Sequence, residues 1–254
     1  MEKYNPWNNL PNGIYAVAAD GTPIEVANAT SECIAVALIV NDAPVPQRLM
    51  IEKNSETNTT SIKAAYEADG ATNTDYTRVY WGMYKADIES ITNYTETGGG
   101  GTSDLGYLPR ADGSYADSSN KLSSDYTTWT SGALSDFNGK VNTAAIIDTE
   151  DTDSYTDYAN MGTYCIKFNE TTSENQGYSD WYIPACGQLA LLYLNRTDIN
   201  EALEAIGGTT LEANVYWSSS EYSSISGWDI TFELGGVHSF YKYYNRWVRF
   251  VRDL

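Results

Sequence analysis

The chain opens on short apolar runs separated by turn residues, a pattern of strands rather than helices. Residues 13–18 form the first run, Asp20-Gly21 is a turn signal, and a second short run covers 23–26. Residues 34–40 (Ile-Ala-Val-Ala-Leu-Ile-Val) are apolar at every position. A half-exposed strand would alternate, so this run predicts a strand buried on both faces, with 49–51 as its partner. Pro44 and Pro46 between them lack the ladder donor and exclude a central strand there.

The pattern weakens over 54–138, which reads as a loop-rich insertion. It holds a short helix at 61–68 and a Val-Tyr-Trp cluster within 78–84 that is expected to fill core. The four glycines at 98–101 precede Thr102-Ser103-Asp104 rather than the Lys-Ser/Thr of a phosphate-cradling loop, so they read as a surface loop. Asp148, Glu150, Asp151 and Asp153 lack the turn glycine and closing Glu of an EF-hand, and read as a solvated acidic loop.

Periodicity returns after residue 186. Leu189, Leu192 and Tyr193 share a face at helical spacing within 187–195. A second helix follows, with Thr197 or Asp198 as N-cap and Gly207-Gly208 as the stop. From Val215 the period becomes two. Trp228, Ile230, Phe232 and Leu234 alternate with Asp229, Thr231 and Glu233, Gly235-Gly236 turns the chain, and 237–244 and 247–251 are the returning strands.

Charge and composition remove whole classes of function. A net charge of −19, from 15 Lys and Arg against 34 Asp and Glu, opposes nucleic-acid binding by phosphate neutralisation and docking on anionic lipid. One histidine, His238, excludes a multi-histidine zinc site within one chain. Cys33, Cys165 and Cys186 show no C-x-x-C spacing and allow at most one intrachain disulfide. Neither metal nor cofactor is expected. Residues 1–13 hold no apolar signal region, and the eight-residue run 33–40 is too short to cross a bilayer as a helix, so no direct membrane insertion is expected. With 21 Tyr and 7 Trp, the chain nevertheless has ample apolar surface for a core.

Four blocks in order carry a resemblance. They are Gly177-Tyr178-Ser179-Asp180-Trp181-Tyr182-Ile183-Pro184, Tyr216-Trp217-Ser218-Ser219-Ser220-Glu221, Val248-Arg249-Phe250-Val251-Arg252, and 139–147 followed by 159–165. Together they resemble the G-x-x-D-W-Y-L-P, Y-W-S-S-x-E, V-R-x-V-R and G-x-x-N-T-x-x-I-I blocks of a C-type-lectin-like family of gut Bacteroidetes and their phages. The resemblance implies an α+β, C-type-lectin-like fold with mixed antiparallel sheets, two or more short helices and long loops. It would form a single domain over 13–254 after a segment 1–12, with a ligand-binding region at about 215–252.

The family includes sugar- or protein-binding surface modules and the variable proteins of diversity-generating retroelements, in which adenines of Asn-type codons are rewritten. Ser224, Ile225, Ser226, Asp229, Thr231, His238, Ser239, Phe240, Tyr241, Tyr243, Tyr244, Asn245 and Phe250 are reachable from AAC and are the candidate variable, ligand-contacting positions. Glu233 is not reachable. Trp181, Trp217, Trp228, Val248, Arg249 and Arg252 read as scaffold, as do Glu221, Lys242 and Trp247.

The resemblance therefore implies a non-enzymatic protein that recognises a protein or glycan on a cell surface through a hypervariable, Tyr-rich face. A fixed adhesin or carbohydrate-binding module is the alternative. Display on a phage tail tip or a bacterial cell surface follows, with a homo-oligomer, a trimer on a tail, as the expected assembly. Formylglycine-generating enzymes share this fold but need late active-site cysteines, and none follows Cys186. The E-P-N and Q-P-D tripeptides of calcium-dependent sugar sites are absent, so calcium-independent binding is expected.

Overall fold

The computed structural model describes residues 5–54, 79–82, 87–95, 104–149, 160–171 and 176–254. The predicted helix at 61–68, the four glycines at 98–101, and Glu150, Asp151 and Asp153 lie outside them. Among the described residues the fold is α+β, with two antiparallel sheets. The first has the order β2 (Pro23–Glu25), β1 (Gly13–Val17), β3 (Ala35–Val40), β4 (Gln47–Glu52), β9 (Val251–Asp253). The second has the order β5 (Asp104–Tyr107), β8 (Gly236–Tyr241), β7 (Ser226–Thr231), β6 (Val215–Ser223). The described residues also form four α-helices: α1 (Gly139–Thr149), α2 (Met161–Glu170), α3 (Cys186–Leu194) and α4 (Arg196–Ala205).

The continuous apolar run of β3 has a direct cause. Val36, Leu38 and Val40 pack into a core shared with α3, α4 and the inner face of the second sheet. Ala35, Ala37 and Ile39 point the other way, into a second core with Met161, Phe168, Trp181, Trp217 and Phe250. Both faces of the strand are covered, so neither tolerates a polar residue. Trp7 belongs to the second core and its Nε1 donates to Gly21 O (3.0 Å), so the segment before β1 is packed against the domain.

The helix expected to be capped at Thr197 or Asp198 starts earlier. A single residue, Asn195, separates α3 from α4, and its amide donates to Leu191 O (2.8 Å) instead of capping α4. The Gly207-Gly208 stop holds: Gly207 is left-handed at φ 70° and Gly208 N–H reaches back to Leu203 O (2.7 Å). The insertion supplies an edge strand, β5, that its polar sequence did not reveal.

The strand expected at 247–251 is split between the sheets. Trp247 exchanges backbone bonds with Val215 and Trp217 in the second sheet, while Val251 pairs with Ile51 of β4 and with Tyr182. Arg249, at the crossing, is buried and donates to Glu52 O (2.8 Å) and Thr209 O (2.9 Å). The last eight residues thus tie the two sheets together.

The Asp180–Pro184 block is a junction. Arg252 grips the Asp180 carboxylate with two bonds (2.7 and 3.1 Å). Asn169 of α2 brackets the Trp181 backbone, and Thr143 of α1 donates to Ile183 O and accepts from Ile183 N–H. The serines of the Tyr216–Glu221 block are buried and satisfied. Ser218 donates to Trp228 O, Ser219 to Ile183 O, and Ser220 to Asp136. A buried hydroxyl without such a partner costs about 1–3 kcal/mol, so this polar segment is stable only in this arrangement.

Candidate ligand-binding face

At the end of β8 the chain makes a turn in which Tyr244 N–H bonds Tyr241 O (2.9 Å). The turn is held from two sides. Lys242 N–H donates to Ile225 O (2.9 Å), Trp81 N–H donates to Lys242 O (3.0 Å), and Val79 and Arg246 exchange both backbone bonds. Between these supports the side chains divide. Lys242 turns inward and is fully buried, whereas Phe240, Tyr241, Tyr243 and Tyr244 are 37%, 44%, 42% and 41% exposed.

The exposed rings pack on one another. Tyr241 and Tyr243 lie 5.3 Å apart and 7° from parallel, and Tyr243 and Tyr244 lie 5.1 Å apart at 25°. Phe240 meets Tyr244 edge-on at 5.4 Å. Arg246 supports them from within, its guanidinium carbon 4.6 Å from the Phe240 ring centre and 5.4 Å from that of Tyr244. Its Nε donates to the buried Asp229 carboxylate (2.9 Å).

Asp229 belongs to a row across the second sheet. Trp217, Asp229, His238 and Asp104 are register partners on four successive strands. His238 Nδ1 lies 3.6 Å from Asp229 and its ring meets Tyr107 edge-on. Beneath the turn, Lys242 Nζ pairs with Glu221 and lies 4.4 Å from the Trp81 ring centre. Glu221 Oε2 also accepts from Ile88 N–H (3.3 Å). Burial pushes the Glu221 carboxyl up and the Lys242 ammonium down, each against the pull of its partner.

The candidate positions therefore separate. Phe240, Tyr241, Tyr243 and Tyr244 form one exposed cluster. Ser224 and Ile225 are half-buried at the β6–β7 turn, and His238 is half-buried beside Asp229. Thr231 and Asn245 line a separate cavity of about 160 Å³ together with Glu233 and Trp247. Ser226, Asp229, Ser239 and Phe250 are buried, which corrects their assignment as ligand contacts. Asp229 is occupied by Arg246, and Phe250 stacks on Phe168 at 4.4 Å. Strict alternation failed at Asp229 because the segment 79–82, Arg246 and Trp217 cover the outer face of β7.

Trp181, Trp217, Trp228, Val248 and Arg249 are buried, and Arg252 is bound to Asp180. Arg246 escaped the sequence reading. Its role depends on Asp229, seventeen residues away and expected to face solvent.

Gly227 shows how tightly the support is packed, since a Cβ there would overlap the Trp81 indole nitrogen and carbons. That indole donates to Ser218 O (2.7 Å) and cannot swing away freely. Gly227→Ala is expected to cost about 1–3 kcal/mol by overpacking, read as a lower midpoint in urea unfolding.

No protein-family model matches the chain, and no curated protein matches it. Among solved structures, the fold is similar to that of a fimbrial protein from Bacteroides ovatus ATCC 8483, with a TM-score of 0.50 and 17% identity. The match covers 96% of this chain and 49% of the other, so the chain spans about half the length of that protein. At this identity the likeness concerns the fold alone.

Proposed function

We propose that this chain is a non-catalytic recognition module that binds a protein or glycan on a cell surface through its aromatic turn. The observation that carries the reading is the crowding of Phe240, Tyr241, Tyr243 and Tyr244 into one exposed cluster. They are four of the six exposed large hydrophobic residues among those described, the others being Val45 and Val141. Soluble surfaces seldom gather such residues without a binding purpose. Tyrosine offers wide amphipathic contact at low rotamer cost, and a turn held by backbone bonds on both sides has little ordering entropy to lose on binding.

The scaffold in this reading is C-type-lectin-like. Two antiparallel sheets, a β9 strand that returns beside the opening strands, and the junction roles of the Asp180–Pro184 and Tyr216–Glu221 blocks support it. Recognition rather than catalysis is supported by the burial of all three thiols and by the lone imidazole facing a carboxylate already held by Arg246.

Retroelement diversification is proposed for the surface positions only: Ser224, Ile225, Phe240, Tyr241, Tyr243 and Tyr244, with His238, Thr231 and Asn245 at the margin. Sequencing the DNA beyond the 3′ end of the gene tests it. A near-copy of the last hundred or so bases that differs at adenines of these codons is the expected result. Absence of a copy, or a copy that varies equally at buried codons such as those of Asp229 and Phe250, overturns it.

A fixed adhesive module is the second reading. The fold likeness to a fimbrial protein favours it. Display would be on a bacterial surface in that case, and on a surface or phage tail in the first. Screening the chain against glycan and cell-surface protein arrays tests recognition itself: saturable binding to a defined ligand is expected, and no binding on either array overturns it.

A further inference from the structure

The strand register puts more than the aromatic turn on one side of the second sheet. Val215 pairs with Thr231, Trp217 with Asp229, Asp229 with His238, and Gly227 with Phe240. Residues two apart on a strand share a face, so Val215, Thr231, Asp229, His238 and Phe240 lie on the same side. Arg246 marks that side independently, since it bonds Asp229 and packs on the Phe240 and Tyr244 rings. The cavity of about 160 Å³ is lined by Val215, Thr231 and Arg246, so it opens on this side too. Cavity and exposed rings are distinct, but one guanidinium borders both.

The polar lining of the cavity is Asn214, Thr231, Glu233, Asn245 and Arg246. Among the described residues, the side chains of the first four make no hydrogen bond or ion pair within the protein. The Thr231 hydroxyl and the two amides can donate and accept, and the Glu233 carboxylate can accept. Arg246 is already fixed, with Nε on Asp229 (2.9 Å) and Nη1 on Asn245 O (3.2 Å). The wall it forms therefore has little freedom to lose when a ligand arrives.

This lining suits hydroxyl groups better than a protein side chain. The pockets that dominate protein interfaces are well packed and fully desolvated around an aromatic or arginine anchor, whereas this one presents donors and acceptors without partners. A sugar ring carries hydroxyls on most of its carbons, and each hydroxyl both donates and accepts. The volume is below the roughly 300 Å³ at which sites for drug-sized ligands begin, so it holds one ring and not a chain of them. Glu233 on the wall and a net charge of −19 disfavour an acidic sugar.

We propose that the ligand of the aromatic turn is an uncharged glycan and that this cavity holds one of its sugar rings, with Thr231, Glu233 and Asn245 bonding the ring hydroxyls. The rest of the glycan crosses Arg246 and lies on the exposed aromatic rings. The inference rests on the recognition reading above and decides between its two ligand classes.

Saturation-transfer NMR with the methyl glycosides of D-galactose, D-glucose, D-mannose and N-acetyl-D-glucosamine tests it. D-galacturonate serves as the acidic match, and N-acetyl-L-arginine amide as the cationic side chain that a protein would present to Glu233. Saturable binding of at least one neutral glycoside is expected. Glu233→Ala should weaken it by about tenfold or more and Thr231→Val by about threefold or more, the values of a lost bond with and without a charged partner. Neither variant should melt lower, because neither side chain bonds the rest of the protein. Tyr243→Ala should leave the affinity for the single sugar unchanged, which separates the cavity from the turn. The proposal is overturned if none of the four glycosides binds, if galacturonate or the arginine amide binds in their place, or if both cavity variants bind as the natural chain does. A protein ligand on the arrays with no glycoside bound leaves recognition standing and overturns this inference alone. No ligand of either class overturns both.

Discussion

Replacing Lys242 with methionine is expected to destabilise the chain by about 3–5 kcal/mol, the usual consequence of leaving one buried charge without its partner. Glu221→Gln should cost a similar amount for the mirror-image reason. The double variant, Glu221→Leu with Lys242→Met, should return to within about 2 kcal/mol of the natural chain, because two apolar residues also avoid the cost of burying the pair. Full recovery is not expected, since Ile88 N–H loses Glu221 Oε2 as its acceptor. Urea unfolding of the four proteins measures all of this. A double-variant loss equal to the sum of the two single losses would mean that the pair is not energetically coupled.

The pH dependence has a definite sign. Burial holds the Glu221 carboxyl above its unfolded value, so its contribution is most favourable at low pH and is lost as pH rises through the folded value. Burial holds the Lys242 ammonium below its unfolded value, so its contribution is most favourable in alkali and is lost as pH falls through the folded value. The ionised pair is therefore least favourable between those two folded values. Relative to the natural chain, the double variant should stand best near neutral pH and decline toward both ends. A flat difference across pH would contradict the assigned burial of the two groups.

What the sequence disclosed follows from how local each signal is. The β3 run was legible because both of its faces are buried, and that requirement shows in every residue from Ala35 to Val40. The Gly207 stop was legible because the left-handed residue and its backbone bond lie within one turn. The exposure of the tyrosines was legible from their number in a short stretch. The rest depends on partners distant in sequence. Asp229 looked outward until Arg246 and Trp217 covered it, and β5 is a strand only because β8 offers it an edge. Ser239 and Phe250 pass the same codon test as Tyr241, because that test measures nucleotide chemistry and carries no information on burial. The inward turn of Lys242 between two outward tyrosines required Glu221, twenty-one residues earlier.

Tyr243→Ala alone is expected to remove most of the affinity of the aromatic turn, a loss of about thirtyfold to a thousandfold, or about 2–4 kcal/mol. Tyr243 is the central ring, within 5.3 Å of Tyr241 and 5.1 Å of Tyr244, and central contacts dominate binding energy when a rim of neighbours excludes water. Because the three rings touch, their losses should not add. The triple variant Tyr241→Ala, Tyr243→Ala, Tyr244→Ala should bind little worse than Tyr243→Ala. Melting temperature should move by only a few degrees in either, because these rings are more than 40% exposed and the turn is held by Lys242 and the backbone bonds to Ile225, Trp81 and Val79. Tyr243→Phe separates two sources of affinity, since it keeps the stacking surface and removes one hydroxyl. Biolayer interferometry against the ligand found by array screening gives the affinities, and thermal unfolding gives the control. Unchanged affinity in the triple variant would move recognition to another face of the protein. Affinity and melting temperature falling together would make the tyrosines part of the fold rather than of the binding site.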